Sequence, residues 1–277
     1  MPVEIRRSED IVALGNKMRQ LTGDDGAIAS SAGLPVPELL SHLNNDYGNA
    51  CRLIAVHGQD LRFCHAFKKW LVWDGKRWAV DETEQARRLA KETMIELLRQ
   101  AIYSRAGENM EKFASASLDS RRIASMLSMA QPEIYVRPSD LDTDPYLLNF
   151  SNGTVDLRSG VLKRHERRDF ITKLIPLPFV PTAKCPQWFM FLTKIMGGGA
   201  DVPEKQSERA GRLIDYLQTA FGYSLTGCTI EKAVFVLFGS GNNGKSTLLS
   251  TFRQLVEEYS MLLQVDTLMV RQESNNT

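Results

Sequence analysis

The sequence predicts an α/β protein, α+β overall, in which a mostly helical body with small β-hairpins is followed by the start of a parallel sheet. Residues 82–106 carry the 3.6-residue apolar period of an amphipathic helix. Two segments, 69–80 and 147–165, hold β-favouring runs around turn residues. The apolar run 233–238 precedes a glycine-rich loop and a further helical period, which indicates a buried parallel strand.

The composition is typical of a soluble globular chain, and its 277 residues suit one large domain or two modest ones. Charged residues make up 24% and the formal net charge is +1, so any nucleic-acid surface has to be a local patch. We find neither an apolar signal core at the start nor an apolar run long enough to span a membrane. The four cysteines form no CxxC pair and have no zinc-ligand spacing, which favours a reducing, cytoplasmic location.

The chain is expected to have three parts. Residues 1–22 carry a short amphipathic pattern, and the Gly-, Ser- and Pro-rich residues that follow form a linker. Residues 38–56 are helical again. The predicted parts are an N-terminal helix and linker at 1–37, a helical domain at 38–200 and a third part at 201–277.

The segment 69–80 predicts a hairpin, because two aromatic runs flank Asp74-Gly75 and Asp-Gly suits a tight turn with positive φ angles. Its tryptophans either fasten a small sheet to the helical body or present rings for base stacking. They are Trp70, Trp73 and Trp78.

Between the hairpins, helices are predicted at 82–106, where Asp81 or Thr83 caps the start, and at about 110–130. The second hairpin region turns at Asn152-Gly153 and at Ser159-Gly160. Beyond it, the proline-rich residues 174–186 are extended, Pro186 opens a helix to about Met196, and another helix covers about 205–222.

The segment with the clearest chemistry is the loop after residues 233–238, which matches GxxxxGK[ST] in full and leads into a helical period. Its glycines let backbone N–H groups converge on phosphate oxygens, and the following helix N-terminus favours negative charge. The predicted nucleotide-binding residues are Gly239, Ser240, Gly241, Asn242, Asn243, Gly244, Lys245, Ser246 and Thr247.

The roles within this loop follow from phosphoryl-transfer chemistry. Lys245 supplies a positive charge for the β- and γ-phosphates of ATP and is the predicted catalytic residue. Ser246 offers its hydroxyl to Mg²⁺, whereas Thr247 is one position late for that role. A glycine-rich turn without a ligand explains Gly239 and Gly244, but it gives no reason for the lysine and serine beside them.

Five segments along the chain point to one family. They are KWLVWDGKRW (69–78), LLNFSNGTVDLRSG (147–160), CPQWFMFL (185–192), YLQTAFGYSLTG (216–227) and FGSGNNGKST (238–247). Together they resemble the phage and plasmid primase-helicases, whose motor is a superfamily 3 DNA helicase. The resemblance covers roughly residues 45–265, and Asn242 stands where superfamily 3 loops usually carry asparagine.

The resemblance implies a pre-motor region shared with poxvirus primase-helicases, followed by an AAA+-type ATPase domain. It implies hexameric rings, ATP and Mg²⁺ as cofactors, single-stranded or forked DNA as partner, and a primase that acts with the helicase. The family's acidic strand, sensor and arginine finger have no match here, since Asp266 stands alone, and the primase domain has no room. We therefore expect an incomplete motor with little helicase activity by itself.

Other features leave alternatives open. A basic cluster at 163–173 is interpreted either as a contact surface for DNA phosphates or as a solvated strand edge. The alternating Asp140, Asp142 and Asp144 are interpreted either as metal ligands or as capping side chains of a turn. His165 has no evident partner and is expected at the surface. The alternative function is a non-catalytic DNA-binding or assembly module of a replication complex. A kinase that shares only the loop would leave the matching segments unexplained.

Overall fold

The computed structural model describes residues 39–239 and 241–264. The predicted helix at 1–22, the linker at 23–37 and Asp266 lie outside these residues. The described chain combines helices with two small antiparallel sheets, so the α+β prediction is confirmed. Within this part of the chain, no helix is both long enough and apolar enough to cross a membrane.

Four helices form the body at the start of the described chain. They pack their apolar faces together, and the largest buried cluster includes Leu53, Leu97 and Ile123. The predicted helix at 110–130 is interrupted by a short turn and becomes two helices. The four are α1 (Asp46–His57), α2 (Gln85–Tyr103), α3 (Glu108–Ala116) and α4 (Ser120–Ala130).

Helix α2 has the buried face and the capped start that its sequence pattern predicts. The helical period predicted for this segment has five inward positions, and four of them, Ala86, Thr93, Leu97 and Ala101, are buried, whereas Leu89 is partly buried. The carboxylate of Asp81 accepts hydrogen bonds from the N–H groups of Gln85 (2.8 Å) and Ala86 (2.9 Å), so the cap predicted at Asp81 is confirmed. Residues 39–45, by contrast, are not part of α1, which starts only at Asp46, so this helix begins later than the prediction for 38–56.

The first sheet joins β1 (Leu61–Cys64), β2 (Lys69–Trp73) and β3 (Trp78–Val80) in antiparallel order. The hairpin predicted at 69–80 is confirmed, and Gly75 adopts a φ of 94° in its turn. The strand β1 was not predicted from the sequence.

The second sheet joins β4 (Leu147–Phe150), β5 (Gly153–Asp156) and β6 (Val161–Lys163), again antiparallel. Leu148 and Val155 face each other across β4 and β5, and both are buried. The second predicted hairpin region is therefore confirmed.

Three further helices form a separate apolar cluster. They are α5 (Pro186–Ile195), α6 (Glu204–Leu225) and α7 (Lys245–Val256), and all three were predicted with small differences at their ends. Pro186 occupies the first turn of α5, as expected of a residue that lacks an N–H donor. This cluster includes residues on both sides of the domain boundary predicted at 200, and that boundary stays a prediction.

Candidate nucleotide-binding site

The predicted phosphate loop leads directly into α7. Asn242 (φ 58°) and Gly244 (φ 82°) adopt left-handed backbone conformations, and Gly244 is the residue that precedes the helix. A Cβ atom at Gly244 would lie 2.7 Å from Cγ2 of Ile195. Glycine is therefore required at this position both by the backbone angle and by the neighbouring side chain.

The lysine of the motif holds the loop together. The ammonium of Lys245 donates hydrogen bonds to the carbonyl oxygen of Gly239 at 2.9 Å and to Oδ1 of Asn243 at 2.7 Å. A Cβ atom at Gly239 would lie 2.3 Å from Nδ2 of Asn243, so a larger residue there would displace the side chain that accepts from Lys245. Ser240 lies outside the described residues.

The first turn of α7 presents polar groups to solvent. Ser246 and Thr247 are exposed, and the first hydrogen bond of the helix is that from the Leu248 N–H to the Gly244 carbonyl at 2.9 Å. The N–H groups of Ser246 and Thr247 precede that bond and are not used within the helix. Together with the helix dipole, they make this end of α7 suited to an anion.

Apolar packing fixes the position of α7 and so of the loop. Leu248 is buried in a cluster with Leu192 of α5 and Leu217 of α6. One helical turn further on, the ring of Phe252 stacks on Phe221 with 4.3 Å between centroids. Leu248 and Phe252 of the predicted amphipathic period therefore face α5 and α6, whereas Leu249 and Leu255 of the same period are each 50% exposed.

A groove lies between the end of α5 and the start of α6. It has a volume of about 650 Å³, and its walls include Ile195 and Pro203 together with the cationic side chains of Lys205 and Arg209. Ile195 also makes the close approach to Gly244. The groove and the loop therefore share one side chain.

The strand predicted at 233–238 is not confirmed. These residues form no ladder, and the described residues provide no strand beside them. Three of the side chains face solvent instead, with exposed fractions of 86% for Val234, 80% for Val236 and 97% for Phe238, whereas Leu237 packs against the apolar cluster of α5, α6 and α7. A parallel strand requires hydrogen-bonded neighbours, so the parallel sheet remains a prediction.

The basic cluster at 163–173 is largely engaged in contacts within the chain. Lys173 lies over the ring of Tyr259, 5.5 Å from its centroid. The ion pairs are those of Lys163 with Asp156 (3.4 Å), of Arg167 with Asp60 (2.5 Å) and of Arg168 with Glu166. Because these cations already have partners, this surface gives no specific support to DNA contact.

The three alternating aspartates have separate partners. Asp140 pairs with Arg137 (2.8 Å), Asp142 accepts from Thr172 N–H (2.8 Å) and Asp144 pairs with Arg158 (2.8 Å). Asp140 and Asp144 have pKa values below their usual range, mainly because of the hydrogen bonds from Arg137 and Arg158. In the part of the chain that the structure describes, no group of three or more acidic, His or Cys side chains could hold a metal. The geometry favours the turn interpretation over the metal site.

The tryptophans of the first sheet serve packing. Trp78 is buried, and its indole N–H donates to the carbonyl of Arg167 at 2.8 Å. Trp73 contacts Trp78 with 5.9 Å between ring centroids, and Trp70 meets Phe63 edge-on. Rings engaged in this way support the packing interpretation rather than base stacking.

A polar network around Asn149 was not predicted. The buried amide of Asn149 donates to the carbonyls of Lys76 (3.1 Å) and Lys173 (3.0 Å). Its Oδ1 lies 3.0 Å from the hydroxyl of Thr154 and 2.9 Å from Nδ1 of His165. Because Oδ1 can only accept, both of those groups donate to it.

The expectation that His165 is a surface residue without a partner is therefore wrong. The ring is half-buried, and burial lowers the pKa of its imidazole, with a backbone interaction at Ser151 opposing the shift. The signal that could have revealed it is the polar residue Asn149 in an otherwise apolar strand position.

A comparison with known families matches residues 50–197 to the family described as D5 N terminal like, which covers more than half of the chain. The chain belongs to this family. The matched residues end before the loop at 239–246, so the family match leaves nucleotide binding to be tested.

A curated protein with a detectable similarity comes from a giant virus. The protein of Acanthamoeba polyphaga mimivirus named "Putative helicase L207/L206" is 23% identical over 232 residues, which are 75% of this chain and 23% of the viral protein. The chain thus spans about a quarter of the length of that relative. The name agrees with a helicase relationship.

Proposed function

We propose that this chain is the ATP-binding part of a phage- and plasmid-type DNA-replication helicase, which couples ATP hydrolysis to DNA unwinding in the full-length protein. The observation that carries the proposal is the loop between Gly239 and α7. Its lysine ammonium is held at the loop, its last glycine is left-handed, and the first helical turn exposes a serine hydroxyl. This arrangement follows a domain of the D5 N-terminal-like family.

The residues of the loop fit ATP and Mg²⁺. Lys245 would contact the β- and γ-phosphates, and Ser246 would ligate the metal. Bound Mg²⁺ supplies charge neutralisation during phosphoryl transfer. The chain's own contribution is to hold the phosphates at the N–H groups of the first turn of α7.

The partners that the proposal includes are those of a replicative helicase. They are single-stranded or forked DNA, further copies of the chain in a hexameric ring, and a primase. The similarity to a protein named as a helicase supports DNA as the partner. Ring size and the primase are inferences from the resemblance in sequence.

The test is a titration of a fluorescent ATP analogue with Mg²⁺ against the wild type, Lys245→Ala and Lys184→Ala. Lys184 is an exposed lysine outside the loop and serves as the matched control. Loss of a charge-assisted contact of about 1.5–3 kcal/mol predicts an affinity at least about ten-fold weaker for Lys245→Ala. Circular dichroism verifies that all three proteins are folded. Equal affinities for the three proteins would contradict the proposal that Lys245 binds nucleotide.

A further inference from the structure

The residues directly after α7 fold back onto the two sheets of the family domain. The backbone N–H of Glu257 still bonds to the carbonyl of Arg253 and closes the helix. Glu258 and Tyr259 then leave the helix and contact residues that lie about 80 to 180 positions earlier in the chain. The predicted phosphate loop therefore precedes α7, and the segment with Glu258 and Tyr259 follows its other end.

Tyr259 makes the more protected contact. Its hydroxyl accepts a hydrogen bond from the backbone N–H of Asn149 at 3.1 Å. Its ring lies under the ammonium of Lys173 at 5.5 Å. Asn149 is the centre of the buried network described above, so Tyr259 is hydrogen-bonded to the strand residue around which that network is built.

Glu258 makes the second contact. Its carboxylate forms an ion pair with the guanidinium of Arg77, which lies in the turn between β2 and β3, and accepts from the N–H of Leu174 at 3.0 Å. Both charged side chains are partly exposed, so we assign the pair a modest contribution to stability. Its significance lies in its position, because it connects the first sheet to the end of α7.

Helix α7 is short enough to transmit a displacement. At 1.5 Å per residue, the 11 steps from Lys245 to Val256 correspond to roughly 16 Å along the helix axis. Val256 is buried, and Leu248 and Phe252 pack against α5 and α6. A helix packed along its length moves as a unit when one end shifts.

We propose that Glu258 and Tyr259 are positioning residues that couple nucleotide binding at Lys245 to the family domain through Arg77 and Asn149. This inference rests on the proposed function. The proposed coupling is favourable. Because coupled binding free energies are reciprocal, docking of the segment then strengthens nucleotide binding by the same factor by which nucleotide binding strengthens docking. A contact that served stability alone would leave nucleotide affinity unchanged.

The experiment is a double-mutant cycle on the affinity for the fluorescent ATP analogue, with Arg77→Gln, Glu258→Gln and the double variant. Allosteric coupling usually changes an affinity by at least about five-fold. We therefore expect about a five-fold loss of affinity for each single variant and no further loss for the double variant. Arg158→Gln is the matched control, because Arg158 forms an ion pair in the same domain without contacting α7. Its affinity is expected to equal that of the wild type.

Tyr259→Phe tests the hydroxyl alone and keeps the ring over which Lys173 lies. We expect a weaker affinity for the ATP analogue. We also expect faster hydrogen exchange of the backbone N–H of Asn149, because its acceptor, the Tyr259 hydroxyl, is removed. In the wild type, the analogue is expected to slow that exchange.

The outcomes separate the two proposals. Wild-type affinity in Arg77→Gln, Glu258→Gln and Tyr259→Phe, together with lost affinity in Lys245→Ala, would overturn the coupling and keep the nucleotide site. Absence of analogue binding to the folded wild type would overturn both. A lower unfolding temperature without a change in affinity counts as a structural role and contradicts the coupling.

Discussion

The ammonium of Lys245 donates a hydrogen bond of 2.9 Å to the carbonyl oxygen of Gly239, so a side chain joins the two ends of the phosphate loop. A second bond, to Oδ1 of Asn243, holds the ammonium within the loop. A bound phosphate would compete with these two oxygens for the same charge.

The first prediction concerns Gly244. Its left-handed φ of 82° costs a residue with a Cβ roughly 1–2 kcal/mol. The added methyl would also lie 2.7 Å from the Ile195 side chain. We expect Gly244→Ala to lower the unfolding temperature, as measured by circular dichroism.

Gly241→Ala is the matched control for this prediction. A Cβ at Gly241 meets no atom within 4 Å, so the variant should unfold at the wild-type temperature. Equal unfolding temperatures for the two alanine variants would contradict the strain at Gly244.

The second prediction concerns Arg52, which is fully buried in α1. Its guanidinium donates to the carbonyls of Leu39 (2.7 Å), His42 (2.7 Å) and Leu43 (2.8 Å), and burial lowers its pKa. Arg52→Met keeps much of the volume but leaves those carbonyls without a donor. Two of the acceptors that lose a donor are buried, the Leu39 carbonyl and Oδ1 of Asn49. Because each buried polar group left unpaired costs about 1–3 kcal/mol, we expect a loss of at least about 2 kcal/mol.

Urea unfolding measures the loss at Arg52, with Arg121→Met as an exposed arginine for comparison. The Arg121 variant is expected to stay within about 0.5 kcal/mol of the wild type. A similarly small effect at position 52 would show that the carbonyls find other donors.

Local patterns predicted those elements whose determinants lie within a few residues. The apolar spacing of α2, its Asp81 cap and the Asp74-Gly75 turn are all of this kind, and the structure confirms them. The break between α3 and α4 was missed, since Asp119 caps a new helix inside a continuous helical period.

Contacts between distant residues could not be predicted from such patterns. Ile195 and Gly244 are separated by 49 positions, and the Tyr259 hydroxyl meets Asn149 across 110. The strand predicted at 233–238 is not confirmed for a related reason, because an apolar run becomes a strand only when another strand pairs with it. The loop residues were recognised from the motif, whereas the side chains that position them were not.

The third prediction concerns Asn149, whose amide donates to two carbonyls and whose oxygen accepts from Thr154 and His165. Asn149→Asp replaces the amide with a carboxylate that faces those carbonyls. We expect a loss of about 2–4 kcal/mol from two lost donors and a buried charge. Protonation restores one donor, so the deficit should shrink as the pH falls.

Asn152→Asp is the comparison for this substitution, since Asn152 is exposed and bonds only to the backbone of Phe179. Its cost in urea unfolding is expected to be smaller and less dependent on pH. Equal costs at positions 149 and 152 would argue against a buried network.

The fourth prediction concerns the pH dependence of stability at Tyr259. Burial raises the pKa of its phenol, and the hydrogen bond from Asn149 opposes this shift. Since the folded pKa lies above the unfolded value of about 10, the contribution is complete below pH 10 and is lost as the pH rises through the folded value. Wild-type stability should therefore fall above pH 10 more steeply than that of Tyr259→Phe.

Urea unfolding between pH 8 and 11 measures this difference, and Tyr135→Phe removes an exposed phenol as the control. The control should keep the wild-type slope, because an exposed phenol loses little solvation on folding. Parallel curves for the wild type and Tyr259→Phe would mean that the phenol stays hydrated in the folded chain. The segment after α7 would then not be docked on the second sheet, and the link between the loop helix and Asn149 would lose its physical basis.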